Sequence, residues 1–229
     1  MAFSERQYKI LTEIKSRELL QSYGVEQNRY LVATGVEAAI EGAENLGFPV
    51  VMKVVSSKIV HKSDFGGVRV GLNNVKEIRT AYADIFRNAA ERGIAPEEID
   101  GVTIQEMVEG VTEFFVGIKR DPIFGPVILA GIGGIWVELM KDIAMRITPL
   151  EEDDISKMLR ELKGFPLLEG YRGRKKADVS ALIKFIKKVS DLSLDNPQIV
   201  ELDLNPVIVK EMGKGVICVD ARIVIQENK

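Results

Sequence analysis

The chain has 229 residues, enough to bury a core without a disulfide or metal staple. Its 31 basic and 34 acidic residues leave a formal charge of −3, which argues against a strongly basic nucleic-acid binder, and 46% hydrophobic with 28% charged residues is an ordinary globular composition. One cysteine, Cys218, excludes an internal disulfide, and one histidine, His61, excludes a two-histidine zinc site, so any metal falls to oxygen ligands, which favours Mg²⁺.

Ser4, Glu5 and Arg6 leave no apolar core for a signal peptide, so the cytoplasm is the expected location. Thr12 to Tyr23 reads as a helix with Ser16, Leu19, Leu20 and Tyr23 on one face and Gly24 as its stop. Thr34 to Leu46 reads as another, with Thr34 and Glu37 forming a capping box and Gly47 ending it. Pro49 to Val55 and Val68 to Leu72 are β-branched and predict strands. Asn74 caps a long helix that ends at Gly93. Two strands are expected at Gly101 to Val108 and Glu113 to Ile118, around a turn at Glu109-Gly110. Pro96 and its acidic neighbours predict a break between lobes near Gly93–Gly101.

Pro126 to Val137 is the longest nearly uncharged apolar stretch, but it is broken by Gly131, Gly133 and Gly134 and is too short to span a bilayer. Strand-like stretches continue to Thr148, and helices follow at Asp153 to Leu162 and Asp178 to Leu192. The basic run Arg172 to Lys176 between them reads as a solvated connector. Strands are expected at Ile199 to Leu204, Val207 to Val209, Val216 to Val219 and Ile223 to Ile225. This mixed order, without strict βαβ repetition, predicts an α+β fold.

Several positions stand out chemically. Lys53 interrupts an apolar strand and either finds an anionic partner or lies on a solvated outer face. SSKIVHKSDFGGV, residues 56–68, combines His61, Lys58, Lys62 and the Gly66-Gly67 pair; glycines let backbone N–H groups approach phosphate oxygens, although a hairpin uses the same pair. Neither a P-loop GxxxxGK[ST] nor a Rossmann GxGxxG in a first βαβ unit is present. A strand end at Glu106 and Val108 followed by Glu113 could serve an adenine edge and a ribose, as could any acidic strand end. The glycines at 131, 133 and 134, with Glu138 and Asp142 after them, read either as a second backbone cradle or as tight packing. In IVELDLNPVIV, Glu201, Asp203 and Asn205 alternate with apolar residues and share one face; Asp220 ends a later strand that could pair with Val207 to Val209. Such a pair would gather two or three oxygen ligands, as Mg²⁺ on nucleotide phosphates requires.

Together these segments resemble the ATP-grasp fold, and more narrowly the β subunits of ADP-forming acetate–CoA ligases (ADP-forming acetyl-CoA synthetases). The motifs are LLQSYGV, GFPVVMKVVSSKIVHKSDFGGV, QEMVEGVTEFFVGIKRDPIFGPVILAGIGGIWVELMKDIAMRITPL, GYRGR, ELDLNPVIV and CVDAR. The resemblance implies a small lobe over residues 23–100 and a large lobe over 1–22 and 101–229, with nucleotide between them. It implies that Lys53 contacts nucleotide phosphates and that Gly66 and Gly67 belong to a phosphate-covering loop. Glu106 and Val108 would meet the adenine, Glu113 the ribose, and Asn205 and Asp220, with Asp203 close by, a Mg²⁺ ion. His61 would pass a phosphoryl group between a phosphohistidine and ADP. The implied reaction is acetyl-CoA + ADP + phosphate ⇌ acetate + ATP + CoA. It requires an α subunit carrying the CoA-binding domain and the phosphohistidine, so the chain alone would be inactive. Two rivals are an ATP-grasp ligase joining a carboxylate to an amine, which would tolerate loss of His61, and a non-catalytic nucleotide sensor.

Overall fold

The computed structural model describes residues 7–56, 58, 59, 62, 65–134 and 140–227. The chain forms two compact units, Met1–Gln27 with Val108–Lys229, and Asn28–Met107.

The smaller unit holds β2 (Tyr30–Ala33), α2 (Val36–Leu46), β3 (Val50–Val55), β4 (Val68–Leu72), α3 (Val75–Glu91) and β5 (Gly101–Glu106). Its antiparallel sheet runs β2-β5-β3-β4. Alternation along β3 and β5 turns Val50, Met52, Val54, Val102 and Ile104 into a core shared with Ile78, Ile85 and Ala89 of α3 and Ala39 and Ala43 of α2. Lys53, Thr103 and Gln105 project from the other face and are buried as well. The expected boundary at residue 100 would have cut β5 from its partners. Pro96–Glu98 is a single helical turn, and the chain leaves the unit only after Met107. Asn74 caps α3 as expected, its side chain accepting the Glu77 N–H. The capping box of α2 is absent. Gly35 is the N-cap, without a side-chain bond, and Glu37 instead pairs with Arg79 of α3 at 2.6 Å. That pairing holds the Glu37 carboxyl below the usual carboxylate range.

The larger unit holds β1 (Gln7–Ile10), α1 (Glu13–Ser22), β6 (Thr112–Asp121), β7 (Gly125–Ile132), β8 (Ile143–Ile147), α4 (Glu152–Arg160), α5 (Phe165–Leu168), α6 (Val179–Asp195), β9 (Ile199–Val209), β10 (Val216–Cys218) and β11 (Ala221–Glu227). Among the described residues seven strands form its antiparallel sheet, in the order β1-β11-β9-β6-β7-β8, with β10 pairing with β9. Phe114, Val116 and Ile118 of β6, Ile128 and Ala130 of β7, and Leu202 and Leu204 of β9 form a core with apolar residues of α4 and α6. The residues between them in sequence, including Gly117 and Asp203, face the opposite side. β9 is one strand where the sequence predicted two. Two of its residues, Asn205 and Pro206, stand against the single Phe115 of β6, because Phe114 pairs with Val207 and Val116 with Leu204. This bulge accommodates a proline that has no ladder N–H to give.

Candidate functional site

The carboxylate and amide positions of the larger unit gather on the sheet face opposite the helices. Asp203 lies across from Gly117 of β6 and from Arg222 of β11. The β9 bulge carries the exposed Asn205, and bulges characteristically re-aim a side chain. Asp220 stands in the corner between β10 and β11, two residues beyond the end of β10. The Asn205 N–H donates to the Asp220 carbonyl at 3.3 Å, and the Val219 N–H to the Pro206 carbonyl at 3.1 Å. The predicted β9–β10 pairing is present, with Cys218 opposite Val207. Asn205 and Asp220 are thereby brought side by side across the hairpin.

The donor set fits a hard cation. Asp220 uses Oδ1 to accept the Ala221 N–H at 3.0 Å, and Asn205 adds a neutral side chain. Asp203 has a buried Oδ1 with no hydrogen-bond partner among the described residues. Burial pushes its carboxyl above the usual range; Arg222 opposes this and Glu201 and Asp220 add to it. Among the described residues no group of three His, Cys, Asp or Glu side chains could hold a metal.

Glu113 lies on β6 four residues before Gly117, about 13 Å away at about 3.3 Å per residue. Its exposed side chain is on the same face, and its carbonyl accepts the Gly133 N–H at 2.9 Å. The glycine-rich turn is a packing device. A Cβ on Gly131 would lie 2.6 Å from the Asp142 carbonyl oxygen, and one on Gly133 3.2 Å from the Glu113 carbonyl carbon. Asp142 is structural too: its carboxylate accepts the Lys163 N–H at 2.9 Å and the Gly164 N–H at 2.8 Å, joining the α4–α5 corner to β8. Glu138 lies outside the described residues.

In the smaller unit Lys53 is only 4% exposed and stands between Thr103 and Val68, which removes the solvated-face alternative. Gln105 donates to Thr103 Oγ1 at 3.1 Å on the same face, making a buried polar row beside the lysine. Gly66 has φ +71°, a conformation that favours glycine. Gly67 donates its N–H to the Lys62 carbonyl at 2.7 Å, and its carbonyl accepts the Val54 N–H at 2.8 Å. A Cβ there would meet Val54 Cγ1 at 2.5 Å, so Gly67 shapes the turn and offers no N–H to a phosphate. Lys58 pairs with Glu98 at 3.7 Å. His61 and Asp64 lie outside the described residues. At the chain crossing, the Glu106 N–H donates to the Arg29 carbonyl at 3.0 Å, and its carbonyl accepts from Asn28 at 3.1 Å. Its carboxylate pairs with Arg29 at 2.5 Å, so the side chain is engaged within the smaller unit. The run at 172–176 is exposed yet pinned: Met212 N–H donates to Lys176 and Asp178 N–H to Lys210, both at 2.9 Å.

Sequence reasoning passed over two supports. Asn28 is buried and braces Glu106, and Glu13 with Arg17 form a buried pair on α1 where only apolar residues and Ser16 were expected inward. The i,i+4 spacing of opposite charges within that stripe was the available signal.

A family model described as the ATP-grasp domain matches residues 2–225. The chain belongs to the ATP-grasp family. It is 41% identical to the Pyrococcus furiosus acetate–CoA ligase (ADP-forming) I subunit beta, over 94% of this chain and 91% of that subunit. It is 44% identical to Archaeoglobus fulgidus acetate–CoA ligase (ADP-forming) I, over 92% of this chain but only 30% of that longer protein. This ATP-grasp chain superposes with a TM-score of 0.88, at 39% identity and covering 95% of this chain and 93% of the other, on the dinucleotide forming acetyl-coenzyme A synthetase 1 of Ca. Korarchaeum cryptofilum in complex with coenzyme A, Ca-AMPCP and HgCl+. Another complex of that protein contains coenzyme A and Mg-AMPPCP, with a phosphohistidine segment pointing towards the nucleotide binding site. Among the described residues of this ATP-grasp chain no helix is long and apolar enough to cross a membrane.

Proposed function

We propose that this chain is the nucleotide-handling β subunit of an ADP-forming acyl-CoA synthetase. A partner α subunit would bind CoA and form the acyl phosphate and a phosphohistidine. The observation that carries the reading is the Asn205–Asp220 corner beside Asp203, an oxygen-ligand set suited to a cation on nucleotide phosphates, in a chain 41% identical to the P. furiosus subunit over 91% of that subunit. The smaller unit would supply Lys53 and Gly66 to the phosphates, and the larger unit the backbone at Val108 to the adenine. The larger unit would supply Glu113 to the ribose. Asn205, Asp220 and Asp203 would hold Mg²⁺, which when bound neutralises phosphate charge.

The phosphoryl group would move in two displacements. The P–N bond of the partner's phosphohistidine breaks as a P–N bond to His61 forms. That bond then breaks as a β-phosphate oxygen of ADP takes the group and ATP leaves. Such chemistry needs positioning and charge neutralisation from the protein, which Lys53 and the cation site provide. The test is reconstitution. The chain alone should not cleave acetyl-CoA, and adding the cognate α subunit should restore ADP- and phosphate-dependent cleavage. Full turnover by the isolated chain would refute the division of labour.

A further inference from the structure

We propose that Arg17, held by Glu13, is a positioning residue for the Asp220 corner, so that a side chain on α1 sets the geometry of the cation site. The inference rests on the assignment of Asp220 as a metal ligand.

Glu13 and Arg17 lie one turn apart on α1, with side chains 2% exposed each and Arg17 Nε 3.3 Å from Glu13 Oε1. Glu13 is in the first turn of the helix, where a carboxylate is favoured by the helix dipole. Desolvating two charges costs about as much as their attraction returns, and an apolar pair of similar volume often serves stability as well. Stability therefore does not account for the pair, whereas its connections do. Arg17 Nη2 donates to the Val219 carbonyl at 2.7 Å, across 202 residues of sequence. The Arg17 carbonyl accepts Gln27 Nε2 at 2.8 Å, Gln27 bridges to Cys218, and the Cys218 N–H donates to Glu26 at 2.9 Å. The segment leading into Asp220 is thus tied to α1 and the loop that follows it.

The Val219 carbonyl and the Asp220 nitrogen belong to one planar peptide unit, so fixing the oxygen fixes the direction in which Asp220 leaves the chain. The corner lies between strands and is held to β9 by bonds of 3.1 and 3.3 Å, the second longer than usual. A tilt of about 20° in that plane, acting over about 3.5 Å of side chain, moves a carboxylate oxygen by about 1 Å. Mg²⁺ demands ligands at about 2.0–2.1 Å in octahedral array and does not absorb such a shift. Arg17 touches neither nucleotide nor cation in this scheme and acts through Asp220.

The experiment uses the assembled two-subunit enzyme with Arg17→Met, Arg17→Lys and Asp220→Asn as the reference. Calorimetric ADP titrations across a Mg²⁺ series give the Mg²⁺ midpoint, adenosine titrations report the rest of the site, and thermal melting reports folding. Arg17→Met leaves the buried Glu13 carboxylate unpaired and should lower the melting point, but below its transition it should bind adenosine as the wild type does and raise the midpoint about 10–100-fold, the usual cost of losing an outer support of a metal site. Arg17→Lys keeps the charge but not the planar fork and should fall between Arg17→Met and wild type. If Asp220→Asn raises the midpoint while the folded Arg17 variants match wild type, the positioning role is overturned and the metal assignment stands. If Arg17→Met does not fold, a folded Arg17→Lys with a wild-type midpoint overturns it equally. An unchanged midpoint in Asp220→Asn removes Asp220 from the cation site and overturns both.

Discussion

Removing the Asp142 carboxylate tests whether the acidic residue after the glycine-rich turn belongs to the chemistry or to the scaffold. Asp142→Ala deletes the acceptors of two backbone N–H groups, those of Lys163 and Gly164. The Gly164 N–H is buried, and its loss of a partner costs about 1–3 kcal/mol; the part-buried Lys163 N–H is partly rehydrated and sits at the low end, about 1 kcal/mol. The sum is about 2–4 kcal/mol. At about 2–4 °C per kcal/mol for a chain of this size, the melting point of the larger unit should fall by about 4–16 °C. Asp142→Asn keeps one acceptor and turns an amide N–H₂ toward the other donor, so it should lose at least half as much. The assay is thermal melting followed by near-UV circular dichroism, with ADP titration below the transition. ADP affinity should be unchanged, because the carboxylate faces the α4–α5 corner. A melting point within about 2 °C of wild type for Asp142→Ala would refute the accounting. A wild-type melting point with lost ADP binding would move Asp142 into the site.

Lys53→Met keeps the stem and removes the charge, and calorimetry should show ATP and ADP binding weakened about 10–100-fold with adenosine unchanged; equal weakening of all three would contradict a phosphate contact. His61→Ala in the assembled enzyme should abolish ATP formation while the partner's histidine is still phosphorylated from acetyl-CoA and phosphate, and wild-type ATP formation would remove His61 from the route. Asp203 has a carboxyl raised by burial, so its protonated form favours the folded state. That contribution is present below the unfolded value and is lost as pH rises through the folded one. Metal-free Asp203→Asn should therefore gain melting temperature over wild type near neutral pH and not in acid. An equal difference at both pH values would exclude burial as the cause.

Pattern and spacing carried most of the larger elements because their signals are local. The β-branched run at 50–55, the Asn74 cap and the alternation along 199–209 each dictate structure within a few residues. The misses depend on partners distant in sequence. Tyr30–Ala33 carries no alternation of its own and becomes a strand because β5 lies beside it. Thr34 and Glu37 have capping-box spacing, but Arg79, 42 residues on, takes the glutamate. Asn205 and Asp220 were legible as a pair because a hairpin relates them. Arg17 was not, since nothing near it in sequence announces that its partner is the carbonyl of Val219. Gly67 was legible as a glycine that matters, but whether its N–H is free depends on Lys62 in the folded turn.

The division of the chain has a consequence for the order in which it acquires structure. Every strand pairing of the smaller unit falls within residues 28–107, whereas the larger sheet sets Gln7 opposite Glu227. Loop closure over so long a separation is slow. On the ribosome the smaller unit can therefore complete its core while the strands from residue 112 onward remain unmade, and α1 must wait with its ion pair unburied. Until β9, β10 and β11 arrive, that early helix carries an arginine and a glutamate destined for an interior that does not yet exist. The proposed cation corner would then form only once β9, β10 and β11 have emerged.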